Sequence, residues 1–274
     1  MSKRRLSGRG FALAAAALVP AILVGANDAF AQEGDADQEA TLEVVAPNPI
    51  AQTAADGSFL PFTQVASVDH QRAYALGLAG YNSARGTGTF ETAAEVHVWG
   101  PFAVRGGAVY TNGGGVLRPS FGGRVQLLRE GRHGVDGAVG VFYRPEGLTE
   151  PEGEIESVFA VGTHAGATYL LGNLLYGQDP EANERDGELR LAALRPVRSR
   201  FIVGLDGRLR FDLGSNPAKL AEHNEATLDA LLGPSATALV GPVALSLHGG
   251  GSVVRLRQTT SVGVFAGVGV GTAF

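Results

Sequence analysis

Residues 261–274 read S-V-G-V-F-A-G-V-G-V-G-T-A-F, and this stretch decides the fold. Val262, Val264, Ala266, Val268, Val270, Thr272 and Phe274 fall on one parity; Gly263, Phe265, Gly267, Gly269, Gly271 and Ala273 fall on the other. A period of two belongs to a strand, because successive side chains of extended backbone point to opposite faces. One face is β-branched and meets something apolar. The glycine-rich face meets something crowded or polar. Ile202–Asp212 repeats the device with charge: Val203, Leu205, Leu209 and Phe211 share one face, and Asp206, Arg208, Arg210 and Asp212 the other.

Working back from the end, such runs recur from about residue 71, near 71–81, 88–98, 102–111, 119–129, 135–144, 153–163, 167–177, 186–195, 200–212, 225–239, 243–254 and 260–274. Short connections fall near Trp99–Pro101, Glu130–Gly134, His164–Gly166, Arg195–Ser199 and Gly241–Pro242. Longer polar ones fall near 83–87, 112–118, 145–151, 178–185 and 214–223. Short and long therefore alternate, as in barrels with short periplasmic turns and longer external loops. Asp136-Gly137, Asp186-Gly187 and Asp206-Gly207 are favoured hairpin dipeptides. Around Asp206 the alternation runs straight through, which predicts one unbroken strand. Residues 217–232 partly fit a helix through Leu220, Leu228 and Leu231, an alternative that lowers the count to ten. Trp99, Phe102, Phe201 and Phe274 lie toward the short-turn end, and Tyr110, Phe121, Tyr143, Tyr176 and Phe211 toward the long-loop end, as rings do at the two boundaries of a bilayer.

The start of the chain gives a matching address. Lys3, Arg4, Arg5 and Arg9 precede an apolar run from Phe11 to Val24, and Ala29-Phe30-Ala31 offers a small-x-small cleavage site. This order is that of a secretory signal peptide over residues 1–31, with an apolar core too short to span a membrane. Its removal takes four positive charges and one negative charge from a net of −5 and leaves −8, a balance that argues against nucleic acid. Residues 32–70 carry an acidic opening and Pro47 and Pro49, and read as a flexible periplasmic leader tucked at the barrel mouth. With 40 glycines long helices are disfavoured, and with no cysteine neither disulfides nor thiolate metal sites are available.

A last alternating strand that ends on Phe274 resembles the assembly signal of bacterial outer-membrane β-barrels, and the resemblance covers about residues 71–274. It implies an all-β, antiparallel, up-and-down transmembrane barrel of about twelve strands preceded by a disordered segment, with outer-membrane lipid and the barrel-assembly machinery as partners. A monomer is expected, with no nucleic acid and no cofactor. The rival architecture is a soluble exported β-sandwich binding protein.

The inward parity carries Glu95, Arg105, Arg124, Asp136, Arg144, Glu154, Glu156, Asp186, Glu188, Arg190, Asp206, Arg208, Arg210 and Asp212. Charge on that face cannot meet hydrocarbon, since Arg at a barrel's midplane costs about 2–4 kcal/mol. Interleaved arginines and carboxylates favour rigid pairs. The leading expectation is a charge-paired, plugged lumen with a structural role. The alternative is a narrow, cation-preferring pore for a small solute. Catalysis is not expected: the best grouping, His248 with Ser246, Ser252 and Asp229, has i, i+2 spacing that chance often supplies. Asp179–Arg190 departs from a calcium loop at its sixth and twelfth positions, so no metal is expected there.

Overall fold

The structure is a computed structural model that describes residues 49–55, 57–60, 62, 64–68, 73–112, 115–145, 153–180, 184–215, 226–256 and 259–274. The sequence-predicted signal peptide and the acidic part of the leader lie outside the described residues. Twelve strands form one closed antiparallel sheet in chain order: β1 (Ala73–Asn82), β2 (Thr87–Trp99), β3 (Phe102–Thr111), β4 (Val116–Leu128), β5 (Asp136–Pro145), β6 (Gly153–Ala165), β7 (Thr168–Gln178), β8 (Arg185–Arg198), β9 (Phe201–Asp212), β10 (Leu228–Val240), β11 (Val243–Arg255) and β12 (Thr260–Ala273). Closure joins β1 to β12, from Tyr74 opposite Ala273 to Asn82 opposite Phe265, so no sheet edge is left. The sandwich is excluded by this closure. The ten-strand alternative also falls, since residues 228–232 belong to β10 and pair with β9 and β11. β9 is continuous through Asp206-Gly207, as the alternation predicts. The turn after β8 sits at Ser199-Arg200, a few residues later than expected.

The outer surface is apolar. Val104, Val141, Leu174, Leu191, Leu205, Leu232, Leu245, Val268 and Val270 are all exposed there. Trp99 and Phe102 stack at the short-turn end with centroids 6.0 Å apart, and Phe121 meets Tyr143 edge-on at 5.7 Å nearer the long loops. An exposed apolar belt that wraps a whole barrel has a large cost in water and none in hydrocarbon, which makes this a membrane-spanning barrel. Among the described residues no helix is long and apolar enough to cross a membrane.

Inside, the barrel is divided by height. Toward the short turns the inward residues are apolar: Tyr74, Leu76, Tyr169, Leu171, Leu194, Ile202, Leu239 and Ala244 are buried in one cluster with Ala54, Phe59, Leu60 and Ala66. Thus the lumen wall is charged only in part. The cluster exists because the chain before β1 enters the barrel. Helix α1 (Pro49–Ala55) lies against the short-turn ends of the strands, and the residues after it rise into the lumen. Gly57, at φ 87, makes the turn that a residue with a Cβ would adopt under strain, and its amide donates to the Ala54 carbonyl at 3.2 Å. Gly271 leaves the space that the Phe59 ring fills: a Cβ there would lie 2.3 Å from Phe59 Cδ1. Phe59 meets Tyr74 edge-on at 6.3 Å.

A second short helix, α2 (Glu130–His133), closes the turn between β4 and β5. The Glu130 carboxylate accepts from the His164 amide at 2.5 Å, the His164 ring at 2.6 Å and the Thr163 hydroxyl at 3.0 Å, tying two turns together. Partial burial pushes this carboxyl up, but those bonds outweigh it and hold it below the ordinary carboxylate range. A carboxyl with a lowered folded value stabilises above its unfolded value, and that contribution is lost as pH falls through the folded one. Carbon-13 titration should place the Glu130 midpoint below that of a free glutamate. A midpoint at or above the free value would remove this link between the turns.

Candidate functional site: a peptide-filled, charge-lined lumen

Residues 64–68, with a bend at Ala66, lie along the inner wall, and three side chains hold their backbone. Asn173 on β7 pairs with both main-chain groups of Gln64: its Oδ1 accepts from the amide at 2.6 Å, and its Nδ2 donates to the carbonyl at 2.8 Å. Arg124 on β4 donates to the carbonyls of Val65 and Ser67, the latter at 2.9 Å. Gln126, two residues along, accepts from the Val68 amide at 3.0 Å. Alternation on β4 points Arg124 and Gln126 to the same face.

Two of the predicted charged residues act behind this contact. Glu95 accepts from Arg124 Nη2 at 2.5 Å, and both side chains are almost wholly sealed from solvent. Asp136 accepts from Gln126 Nε2 at 3.0 Å, which leaves the other end of that amide facing Val68. It also accepts from the Glu130 amide at 2.9 Å.

Phe62 stands at mid-height. Its ring meets Phe265 at 5.6 Å and His248 at 6.0 Å, and the Arg208 guanidinium lies 5.5 Å from its centroid. Cation–π contact of this kind favours an arginine already desolvated by its neighbours. His248 is thereby part of an aromatic cluster. The Ser–His–Asp grouping is not assembled: Asp229 pairs across from Val254, and its carboxylate accepts from Arg208 at 2.7 Å and meets Arg85 at 3.0 Å.

Toward the long loops the remaining charges sort into pairs. Arg144 reaches Glu156 at 2.9 Å and Glu154 at 3.8 Å. Arg190 meets Glu188 at 2.6 Å, Arg208 lies 3.8 Å from the same carboxylate, and Arg210 donates to Asp186. Arg105 makes a weaker contact, 3.4 Å to the Tyr74 hydroxyl. Asp212, the last residue of β9, turns to the loop that follows instead, accepting from the Ser215 amide at 2.8 Å and the Gly214 amide at 3.2 Å. Asp206 is buried with both oxygens outside hydrogen-bonding geometry, although the Phe62 and Gly207 amides face its carboxylate. Phe274 is exposed at the barrel's rim, its amide bonded to the Ala73 carbonyl at 2.9 Å.

Asn173 and the main-chain contacts of residues 64–68 are what reading the sequence misses; of that segment it gives only a place at the barrel mouth. Asn173 is a lone amide on an inward row otherwise made of Tyr169, Leu171 and Leu175, and that isolation is a signal in the sequence. The segment has too few apolar residues to build its own core; Phe59, Leu60, Val65 and Val68 complete the barrel's.

No family model and no curated protein matches the chain. Among solved structures it is similar to the NanC porin, at 8% identity and a TM-score of 0.52, over 74% of this chain and all of that one. It is also similar to the KdgM porin, at 8% identity and 0.48, over 73% of this chain and 99% of that one. The LpxR structure from Salmonella typhimurium matches at 9% and 0.45, over 74% of this chain and all of that one. At such identity the likeness is one of fold, that of bacterial outer-membrane β-barrels.

Proposed function

We propose that this protein is an outer-membrane barrel sealed at rest by its own chain, with residues 49–68 as the plug and the ion pairs above them as a rigid upper wall. The grip of Asn173, Arg124 and Gln126 on the backbone of residues 64–68 carries this reading. In this scheme the signal peptide is removed after Ala31, and Phe274 docks the chain onto the assembly machinery. The barrel then holds a solvent-excluded lower half without spending any external partner on it. Purified full-length protein in planar bilayers should give no resolvable conductance steps. Deletion of Pro49–Val68 should produce stable open steps. Steady wild-type channels would overturn the reading.

A narrow pore for a small solute is the second reading. It draws support from a small polar recess of about 50 Å³ on the long-loop side, where Arg144, Arg185 and Arg210 face Glu154, Glu184 and Asp186. Cation preference in wild-type channels, lost on neutralising Glu154 and Glu156, would decide for it.

A further inference from the structure

The contacts that hold residues 64–68 are to main chain. Amides of Gln64 and Val68 donate, and carbonyls of Gln64, Val65 and Ser67 accept, all to side chains of the barrel wall. The side chains of the segment are not read by hydrogen bonds: the Ser67 hydroxyl is buried without a partner. They are read by size, because Val65, Ala66, Ser67 and Val68 are each at most 1% exposed, leaving no room to grow. Main-chain bonds that any residue except proline can make, combined with a steric limit, specify a class of ligand rather than one sequence.

From this we propose that Asn173, Arg124 and Gln126 form a binding site for the main chain of a polypeptide segment with small side chains, one that residues 64–68 occupy in cis and a separate peptide can occupy in trans. The proposal rests on the reading that residues 49–68 seal the lumen, but it requires more than a seal. Glu95 and Asp136 are positioning residues for it, since each fixes the side chain that touches the peptide. The segment leads from a helix at the short-turn end and continues to β1 at that same end, so the occupant enters and leaves by one mouth and threads through nothing.

The test uses the barrel lacking residues 49–68, open in a planar bilayer, and a synthetic peptide of residues 57–68 added on the short-turn side. The native peptide should close the channel, and so should one carrying Val65→Ala and Ser67→Ala, which changes the sequence without adding bulk. N-methylation at the positions of Gln64 and Val68, or Phe in place of Ala66, should abolish closure. Equal closure by the N-methylated peptide would overturn main-chain recognition. An open channel that no peptide closes would overturn the site while leaving the sealed-barrel reading intact; a deleted barrel that never opens would count against that reading first. The intact protein supplies a test independent of the deletion. Asn173→Leu should speed hydrogen exchange at the Gln64 amide and spare Val68, and Gln126→Leu should do the reverse. Exchange unchanged by either substitution would refute the proposal.

Discussion

Arg124→Met is expected to be the most damaging single change in the lumen, lowering stability by about 3–5 kcal/mol, the range for leaving a buried charge without its partner. The loss has two parts. Glu95, 4% exposed, loses the one cation within salt-bridge reach among the described residues, and the carbonyls of Val65 and Ser67 lose their donor. The double variant Glu95→Leu, Arg124→Met removes the stranded charge but not the lost main-chain contacts, so it should recover part of the deficit. Heat-modifiable gel mobility of the three proteins in one detergent reads this directly. A double variant no better than Arg124→Met would show that the unpaired carboxylate is not the main cost.

Val268→Arg is the second large effect. Val268 is 54% exposed on the outer face of β12, where hydrocarbon would surround the guanidinium at a cost of about 2–4 kcal/mol. Less folded barrel and more protease-sensitive material are expected, as with Phe274→Ser. Alternation alone suggests that the inward neighbour Gly269 is the more tolerant site. Packing reverses that expectation: a Cβ at Gly269 would lie 2.3 Å from Ser246 Oγ and 2.6 Å from Leu78 Cδ2. Gly269→Ala should therefore also impair folding, and Ser246→Gly should relieve part of it while doing nothing for Val268→Arg. Relief of both, or of neither, would contradict the assignment of the two faces.

The strands could be read from the sequence because each has a buried-versus-exposed asymmetry that repeats every second residue and needs no partner to be visible. Val262 to Val270 on one face of β12 and Arg208 and Arg210 on one face of β9 announce strand, direction and side by themselves. The same alternation carried β9 through Asp206-Gly207 against local turn preference. Partners across the lumen could not be read in this way. Arg208 finds Asp229, on a strand whose start lies next to a segment that also fits a helix, and Asp206, on the same face, has no salt bridge within reach. Nor does periodicity reveal residues 64–68, which belong to no sheet, and whose amides are met by side chains from β4 and β7 about 60 and 110 residues away along the chain. Strand identity is a property of neighbours in sequence, and alternation records it. What fills a closed barrel depends on which side chains twelve strands bring to one height, and only the closed sheet brings Arg124, Gln126 and Asn173 round a single stretch of backbone.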